Sequence, residues 1–265
     1  MRRIRMKAFS VHCLGVGDGW SCADRNHASF FYRFGSTRIL VDCGEPVDRS
    51  LKEAGVRHGD LDAILLSHMH SDHVGGLFML MQGAWLCKRR EPLPLFMPGK
   101  AIRTLGKMFE AAMLFPELIG FELRPSPLKS RRSISLKDVR VTPFPTSHLE
   151  NLRSRFEKKH PVDFSAFSFL FESKGRRVAH SADIGKPEDL APLLEKPLDL
   201  LVCEMSHNRP EKLFGYLSRH RIRKIVFVHL SDAQWRNVSD LRIKAAKFLK
   251  STPHVFAKDG ERVVF

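Results

Sequence analysis

The chain has 265 residues, of which 43% are hydrophobic and 28% are charged, and its formal net charge is +15 at pH 7. This length and apolar fraction predict one folded domain, residues 1–265, and exclude an intrinsically disordered chain. No apolar run reaches the length of about 20 residues that a membrane-spanning helix needs, so we expect no membrane segment.

The cysteines and the N-terminal residues indicate the cellular compartment. Five scattered cysteines, an odd number, do not fit a disulfide framework. The basic residues 1–7 could begin a signal peptide, but His12 and the Gly17-Asp18-Gly19 turn follow soon. That segment is a poor apolar core for a signal peptide and a good first strand. We therefore expect a cytoplasmic protein with reduced thiols.

The first half of the chain predicts strands at 6–14, 28–34 and 37–42, a helix at 47–54 and a strand at 61–66. A helix at 76–87, a strand at 93–97 and a helix at 100–114 follow. Between residues 66 and 76 lies the string His68-Met69-His70-Ser71-Asp72-His73, directly after an apolar strand.

The second half predicts further strands near 120–124, 134–142, 165–172, 176–180, 199–203, 224–228, 254–256 and 262–265. Helices are expected at 187–195, 210–220 and 239–250. Residues 125–133 and 150–163 are the least regular and are strongly basic, so we interpret them as exposed loops. Strands paired with covering helices, twice over, favour an αββα sandwich of the α/β (α+β) class.

The string at 68–73 places three imidazoles and a carboxylate within six residues. His68 and His70 alternate with other residues, so an extended start points both rings the same way. Asp72 and His73 can then turn toward a second point. Imidazole and carboxylate together suit zinc, manganese or iron. The spacing indicates two metal ions rather than one. Isolated surface or core histidines would not produce a cluster of four ligand-type residues within six.

This string matches the HxHxDH signature of the metallo-β-lactamase superfamily. Three later segments that follow strand-like runs supply further matches in the family's order, ending at His148, Asp183 and His229. The resemblance covers the chain from Val11 to His229 and implies the four-layer metallo-β-lactamase sandwich. The closest similarity is to the ribonuclease Z-like, phosphodiesterase branch.

The resemblance also implies a dinuclear metal site with seven ligands. The first metal would bind His68, His70 and His148, the second Asp72, His73 and His229, and Asp183 would bridge both. We expect two divalent ions, zinc in the first instance. Manganese or iron could occupy the same ligands.

Three further residues are candidates through the same resemblance. Asp42 ends a strand where family members often place a carboxylate that orients a ligand imidazole, the alternative being a turn cap. Glu204 matches a Glu that assists the leaving group in ribonuclease Z-like members. His207 is a candidate proton donor beside it. Since the partner His of ribonuclease Z lies further along the chain, the alternative for His207 is a surface loop histidine.

Such a site would hydrolyse a substrate with a metal-bridged hydroxide, since two divalent ions lower the pKa of a shared water. Asp72 would orient that hydroxide and could accept a proton. We predict an enzyme, a metal-dependent hydrolase acting on a phosphodiester that is nucleotide or nucleic-acid-like. The alternatives are a carboxylic ester, thioester or lactone hydrolase of the same fold, or a catalytically silent ligand sensor.

Charge patterning supports an anionic, phosphate-bearing substrate. Basic clusters lie at 88–90, 129–132, 153–159 and 219–224. Arg153 and Arg155, which follow the His148 ligand, are candidate substrate contacts, and His27 is a weaker one. Simple solubilising loops would produce the same pattern. Nucleic acid and a second copy of the chain, forming a homodimer, are further candidate partners.

One difference from ribonuclease Z reduces the range of substrates that we expect. The short form of that enzyme inserts a Gly/Pro-rich arm that grips transfer RNA between the bridging Asp and the last His. Here residues 184–228 are used by a predicted helix, strand, helix and strand. We therefore do not expect processing of transfer RNA 3′ ends.

Overall fold

The structure, a computed structural model, describes residues 9–250 and 252–265. Its strands, in chain order, are β1 Ser10–Gly15, β2 Ser29–Phe34, β3 Thr37–Val41, β4 Ala63–Leu65, β5 Leu93–Met97, β6 Leu123–Pro127, β7 Ile134–Leu136, β8 Val139–Pro145, β9 Phe167–Ser173, β10 Arg176–His180, β11 Leu200–Glu204, β12 Ile225–Val228, β13 His254–Phe256 and β14 Glu261–Val264. The α-helices are α1 Val47–Glu53, α2 Ser71–Val74, α3 Leu77–Leu86, α4 Ile102–Ala111, α5 Pro116–Ile119, α6 Glu150–Phe156, α7 Pro210–Leu217, α8 Asp232–Arg236 and α9 Val238–Leu249. Short 3-10 helices cover His58–Asp60, Gly99–Ala101 and Pro187–Leu190.

These strands form two sheets with the same pattern of pairing. The first sheet has the order β14-β1-β2-β3-β4-β5-β6, and the second has the order β13-β12-β11-β10-β9-β8-β7. In the first, pairing is antiparallel from β14 to β3 and parallel from β3 to β6. In the second, it is antiparallel from β7 to β10 and parallel from β10 to β13. The predicted αββα sandwich is confirmed.

The central core lies between the two sheets and is rich in aromatic rings. Tyr32 and Phe34 of β2 pack on Phe171 of β9, with ring centroids 4.9 and 5.5 Å apart. All three side chains are fully buried. Aromatic pairs at such separations add stability beyond the area that they bury. This contact holds the sheets together beneath the edge where the candidate ligands lie.

Two outer cores attach the helices. Leu51 of α1 with Leu77 and Leu80 of α3 pack on the first sheet, and Leu213 of α7 with Leu241 of α9 pack on the second. The inner strands β3, β4, β9, β11 and β12 are buried on both faces, which explains why they read as continuous apolar runs rather than alternating ones. None of the helices within the described residues is long and apolar enough to cross a bilayer.

Several predicted boundaries are wrong. The strand expected at 134–142 is a hairpin of β7 and β8, turned at Lys137 with a φ of 53°. The helix expected at 187–195 is only a 3-10 turn, and the one at 100–114 begins as a 3-10 turn and ends at Ala111. The first strand begins at Ser10, and positions 6–8 of that prediction lie outside the described residues.

The two segments predicted as irregular also contain regular structure. Residues 123–127 form β6, which carries Pro125 and Pro127 and lies at the edge of the first sheet. Proline has no amide proton to donate to a neighbouring strand, so it is tolerated in an edge strand. Residues 150–156 form α6, supported by an Arg153–Glu157 pair one turn apart. The short helices α2, α5 and α8 have no counterpart in the sequence prediction.

Candidate metal centre

The predicted ligands meet at one edge of the sandwich. The HxHxDH string follows β4 of the first sheet, while the other three ligands follow β8, β10 and β12 of the second. Backbone hydrogen bonds join the sheets at this edge: the His229 amide donates to the Val16 carbonyl (2.8 Å), and the Phe167 amide donates to the Ser67 carbonyl (3.1 Å). The site is therefore assembled where two halves of the fold contact each other.

The first set of donor atoms comes from His68, His70 and His148, whose ligand atoms lie within 4.8 Å of one another. His70 presents Nδ1, which is 3.3 Å from Nε2 of His148. The His68 ring is fully buried. Three imidazole nitrogens facing one point form the ligand set of a typical catalytic zinc ion.

The second set comes from Asp72, His73 and His229, also within 4.8 Å of one another. Asp72 Oδ2 lies 3.4 Å from His73 Nε2 and 3.3 Å from His229 Nε2. Asp72 and His73 belong to the short helix α2, which turns them away from the first set.

Asp183 lies between the two sets and directs one oxygen toward each. Its Oδ2 is 3.8 Å from His68 Nε2 and 3.6 Å from His148 Nε2. Its Oδ1 is 3.4 Å from His73 Nε2 and 3.6 Å from His229 Nε2. This is the arrangement that a carboxylate bridging two ions requires.

The donor set fits divalent metal ions. His68 Nε2, His73 Nε2 and Asp183 Oδ1 are buried and have no hydrogen-bond partner among the described residues. A buried polar atom left without a partner costs free energy, and a bound cation would satisfy convergent atoms of this kind. Imidazole nitrogen and carboxylate oxygen suit zinc and also manganese or iron.

The electrostatics of the first ligand set and of the two carboxylates favour the protonation states that metal binding needs, whereas Asp183 outweighs burial and raises the pKa of His73 and His229, so these two rings must release protons when a metal ion binds. Burial lowers the pKa of His68 well below its ordinary value, and it lowers the pKa of His148 to about 4. Burial alone would raise the pKa of Asp72 and Asp183, but the neighbouring His73 and His229 outweigh burial and lower both. Neutral imidazoles of the first set therefore face ionised carboxylates at pH 7.

Asp42 bonds to His73, a candidate ligand of the second set. Its buried carboxylate accepts hydrogen bonds from the Ser67 amide (2.7 Å), the Ser67 hydroxyl (2.8 Å) and Nδ1 of His73 (2.7 Å). Because Nδ1 of His73 is occupied, Nε2 is left to face the centre. Such a carboxylate–imidazole pair fixes the tautomer and orientation of a metal-binding ring.

Gly44 permits the close approach of the two segments that carry Asp42 and the HxHxDH string. The Cys43 amide donates to the His73 carbonyl (2.7 Å), and the Gly44 amide donates to the Ala28 carbonyl (2.9 Å). A Cβ atom on Gly44 would lie inside van der Waals distance of the Asp72 carbonyl oxygen. Any larger residue here would push the string away from its support.

Asp189 supports the ligands of the second sheet and was missed in the sequence. Its carboxylate accepts hydrogen bonds from the amides of Ser147 (3.0 Å) and Gly185 (2.9 Å) and from the Ser147 hydroxyl. It thereby ties the residue before His148 to the turn after Asp183. An acidic residue three positions after Lys186, with Pro187 at the first helical position, is typical of a helix N-terminus, and this was the one available signal.

Glu204 and His207 lie beside the candidate ligands. Glu204 is buried at the end of β11, and its carboxylate lies 3.3 Å from Nδ1 of His207. The His207 side chain is 34% exposed, and its ring packs against His148 at 4.5 Å. Burial lowers the pKa of His207, but Glu204 and Asp183 outweigh burial and raise the pKa to about 9.

The three candidate substrate contacts lie outside these clusters. Nδ1 of His27 bonds to the Asp18 carbonyl (2.9 Å) and Nε2 to the Ser21 hydroxyl (3.2 Å), so the ring spans the loop that passes next to Asp72. Arg153 is paired with Glu157, and the Arg155 guanidinium lies 5.0 Å from the Phe156 ring. Their substrate roles stay predictions.

The surface next to His70 is mainly apolar, although part of it comes from the basic segment 150–163. Leu149 and Leu152 of the α6 region, together with Met69, line a pocket at His70. Arg153 lines an adjoining cavity, which shares Lys100, Val162 and Asp163 with the pocket at His70. The sequence shows that this segment is basic, but the helix turns apolar residues toward the ligand. The pocket wall at His70 is therefore mainly apolar, with Lys100 as its basic residue.

Comparison with known proteins agrees with the fold. The chain is 23% identical to ribonuclease Z of Archaeoglobus fulgidus, over 95% of this chain and 96% of the relative. Further ribonucleases Z match over about half of this chain and under half of their own length. The metallo-β-lactamase fold protein YhfI of Bacillus subtilis superposes with a TM-score of 0.77 (18% identity, 98% of this chain, 100% of that chain). Human tRNase Z, short form, gives a TM-score of 0.70 (19% identity, 96% and 98% coverage).

The family is defined by a further match. A family model described as anti-Pycsar protein Apyc1 matches residues 9–253, which include every candidate ligand. The similarity to ribonucleases Z supports a hydrolase of the metallo-β-lactamase fold. By this match, the chain belongs to the anti-Pycsar protein Apyc1 family.

Proposed function

We propose that this protein is a dinuclear metal-dependent hydrolase that cleaves a phosphodiester in a nucleotide or nucleic-acid-like substrate. The observation that carries the proposal is the pair of ligand sets joined by Asp183, with Glu204 and His207 beside them. The similarity to ribonucleases Z, whose substrates are phosphodiesters, and the net charge of +15 support a phosphate-bearing substrate.

Seven side chains would hold the metal ions. His68, His70 and His148 would hold one ion, Asp72, His73 and His229 the other, and Asp183 both. When bound, two divalent ions lower the pKa of water toward neutrality and stabilise negative charge on a phosphoryl group. Asp72 is the residue that would orient the attacking group and accept its proton.

Glu204 and His207 would handle the leaving group. The exposed part of the His207 ring can reach a substrate, while the buried Glu204 carboxylate fixes the ring through Nδ1. Nε2 of His207 would then donate a proton to the departing oxygen. This division, in which a buried carboxylate orients a more exposed imidazole, is common in acid–base catalysis.

A second candidate function is hydrolysis of a carboxylic ester, thioester or lactone. The observation in its favour is the apolar surface formed by Met69, Leu105 and Leu149 beside His70. An acyl chain would bury against such a surface as readily as an aromatic ring would.

The test compares two substrates. The protein, reconstituted with zinc or manganese, is assayed on bis(p-nitrophenyl) phosphate and on p-nitrophenyl acetate, with the Asp72→Ala/His73→Ala double variant as control. We expect metal-dependent cleavage of the phosphodiester that the control lacks. Cleavage of the acetate alone would overturn the phosphodiesterase proposal in favour of acyl chemistry. Two bound metals with no turnover of either substrate would favour the sensor.

A further inference from the structure

We propose that the apolar pocket beside His70 binds an uncharged aromatic group, the substituent that remains on phosphorus when the diester is cleaved. This proposal rests on the proposed phosphodiesterase function and adds the class of group that the substrate carries. The pocket has a volume of about 360 Å³ and lies between α4 and the segment after α6. Its apolar wall includes Leu105, Met108, Leu149, Val162 and Phe164.

The pocket is continuous with the metal centre. His70 lines it, and Nδ1 of His70 is 3.3 Å from Nε2 of His148 in the first ligand set. A group seated in the pocket would therefore lie next to the first ligand set. Catalytic pockets commonly place an apolar chamber next to a few polar groups in this way.

Part of the apolar wall is exposed to solvent, which favours an apolar occupant. Leu105 and Leu149 are 5% and 4% exposed, as core residues are. Met108 and Val162 are 49% and 54% exposed, although both line the same pocket. An aromatic ring inserted between them would remove this apolar surface from water, which favours binding.

The polar residues of the wall favour an uncharged occupant. Asp163 lines the pocket, but its carboxylate already accepts hydrogen bonds from the amides of Lys100 (2.6 Å) and Ser165 (3.0 Å). Lys100 also lines the pocket, but its side chain is exposed to solvent, where water weakens any pairing with a charged group. A charged occupant would lose its hydration without gaining a buried partner, which is costly. A neutral ring would not.

The position of the proton donor decides which substituent enters. The ring of His148 contacts His70 at 5.1 Å and His207 at 4.5 Å. Of these three described residues, His70 alone lines the pocket. Since the leaving oxygen must be near His207, the group in the pocket is the one that stays on phosphorus.

The experiment uses two diesters with the same leaving group, methyl p-nitrophenyl phosphate and phenyl p-nitrophenyl phosphate. Zinc-loaded protein should cleave the phenyl diester with a kcat/KM at least about tenfold higher, the factor that burying one ring supplies. Thr104→Trp, which fills the pocket, and Met108→Gln, which makes its wall polar, should each lower this preference about fivefold or more. Met79→Gln is the matched control, since Met79 is 55% exposed on α3 and lies outside the pocket lining.

Each outcome is decisive. A preference for the phenyl diester that survives both pocket variants, or that falls equally in Met79→Gln, overturns the pocket while the phosphodiesterase proposal stands. The absence of cleavage of both diesters by wild-type protein that holds zinc overturns the phosphodiesterase proposal and the pocket with it. Zinc content measured for every variant separates these results from loss of the metal site.

Discussion

The two sheets share one pattern of strand pairing but supply the candidate ligands in different ways. The first sheet supplies four ligands from the contiguous string at 68–73, after a single strand. The second supplies His148, Asp183 and His229 from the ends of three separate strands. Positions in the first half are set largely by one turn of the chain, whereas those in the second depend on how loops pack.

The two carboxylates that support the candidate ligands, Asp42 in the first half and Asp189 in the second, also differ in what they hold in place. Asp42 is fully buried and bonds to a ligand ring and to the residue before the string. Asp189 is half-buried and bonds to no ligand ring, but ties together the loops that carry His148 and Asp183. Variants in each half can therefore show whether metal binding depends more on the turn or on the loops.

Asp183→Asn should have the largest effect, because Asp183 faces both ligand sets and its loss breaks the connection between the halves. We expect fewer than two metals per chain and a loss of phosphodiesterase activity well over about 100-fold, since losing an outer partner alone costs 10–100-fold. Inductively coupled plasma mass spectrometry and the bis(p-nitrophenyl) phosphate assay measure both quantities. Two retained metals with near-normal activity would contradict the bridging role.

His207→Ala tests whether the second half also supplies the proton donor. With p-nitrophenyl as leaving group, little protonation is needed, so kcat should change modestly. With a methyl or ribosyl leaving group, kcat should fall about 100-fold, because a general acid contributes that much or more. Equal losses on both kinds of substrate, at unchanged metal content, would show that His207 has another role.

Gly44→Ala tests the packing of the first half. The added Cβ would collide with the backbone of Asp72, so the free energy of unfolding of the metal-free protein should fall by about 3 kcal/mol. Urea unfolding followed by circular dichroism measures this. Gly59→Ala is the control, because a Cβ there meets open space. Similar unfolding midpoints for both variants would rule out the close approach as a source of strain.

Asp189→Asn tests the loops of the second half. Weakened hydrogen bonds to Ser147 and Gly185 should loosen the His148 and Asp183 loops and raise the dissociation constant for zinc about tenfold. Competition with a chromophoric chelator measures this constant. Asp199→Asn is the matched control, since Asp199 accepts a hydrogen bond from the Arg177 amide near the start of β10. Asp42→Asn should have at least the same effect as Asp189→Asn; a smaller effect would reverse the comparison of the halves.

His180→Gln should have the smallest effect, on the pH dependence of stability. The unperturbed pKa of this histidine is 6.5, and burial lowers the pKa of His180 to about 3. Between these values the unfolded chain binds a proton that the native state does not, so stability falls as pH decreases below about 6.5. Gln does not titrate, and the slope between about pH 4 and 6 should become shallower by one proton. Urea unfolding of metal-free protein across this range measures the slope, and parallel curves for wild type and variant would contradict the assignment.

The sequence predicted the sandwich and the strand ends from which the candidate ligands extend. These features depend on short-range patterns: apolar runs of strand length, and ligand-type residues directly after them. Asp189 could not be found in this way, because its partners Ser147 and Gly185 are distant or unremarkable in the sequence. The apolar pocket could not be predicted because Leu149 and Leu152 lie in a segment whose most visible feature is its positive charge.

By itself, the sequence determined which side chains are candidates for the metal centre, because the HxHxDH string and the later positions His148, Asp183 and His229 resemble the family's signature. Only the tertiary structure decided how they meet. Asp42, Ala182 and His229 adopt left-handed backbone conformations, with φ of 58°, 46° and 54°. Residues with a Cβ avoid this region unless surrounding contacts impose it. Here those contacts are bonds between distant segments, such as that from the His229 amide to Val16, and no local pattern of residues encodes them.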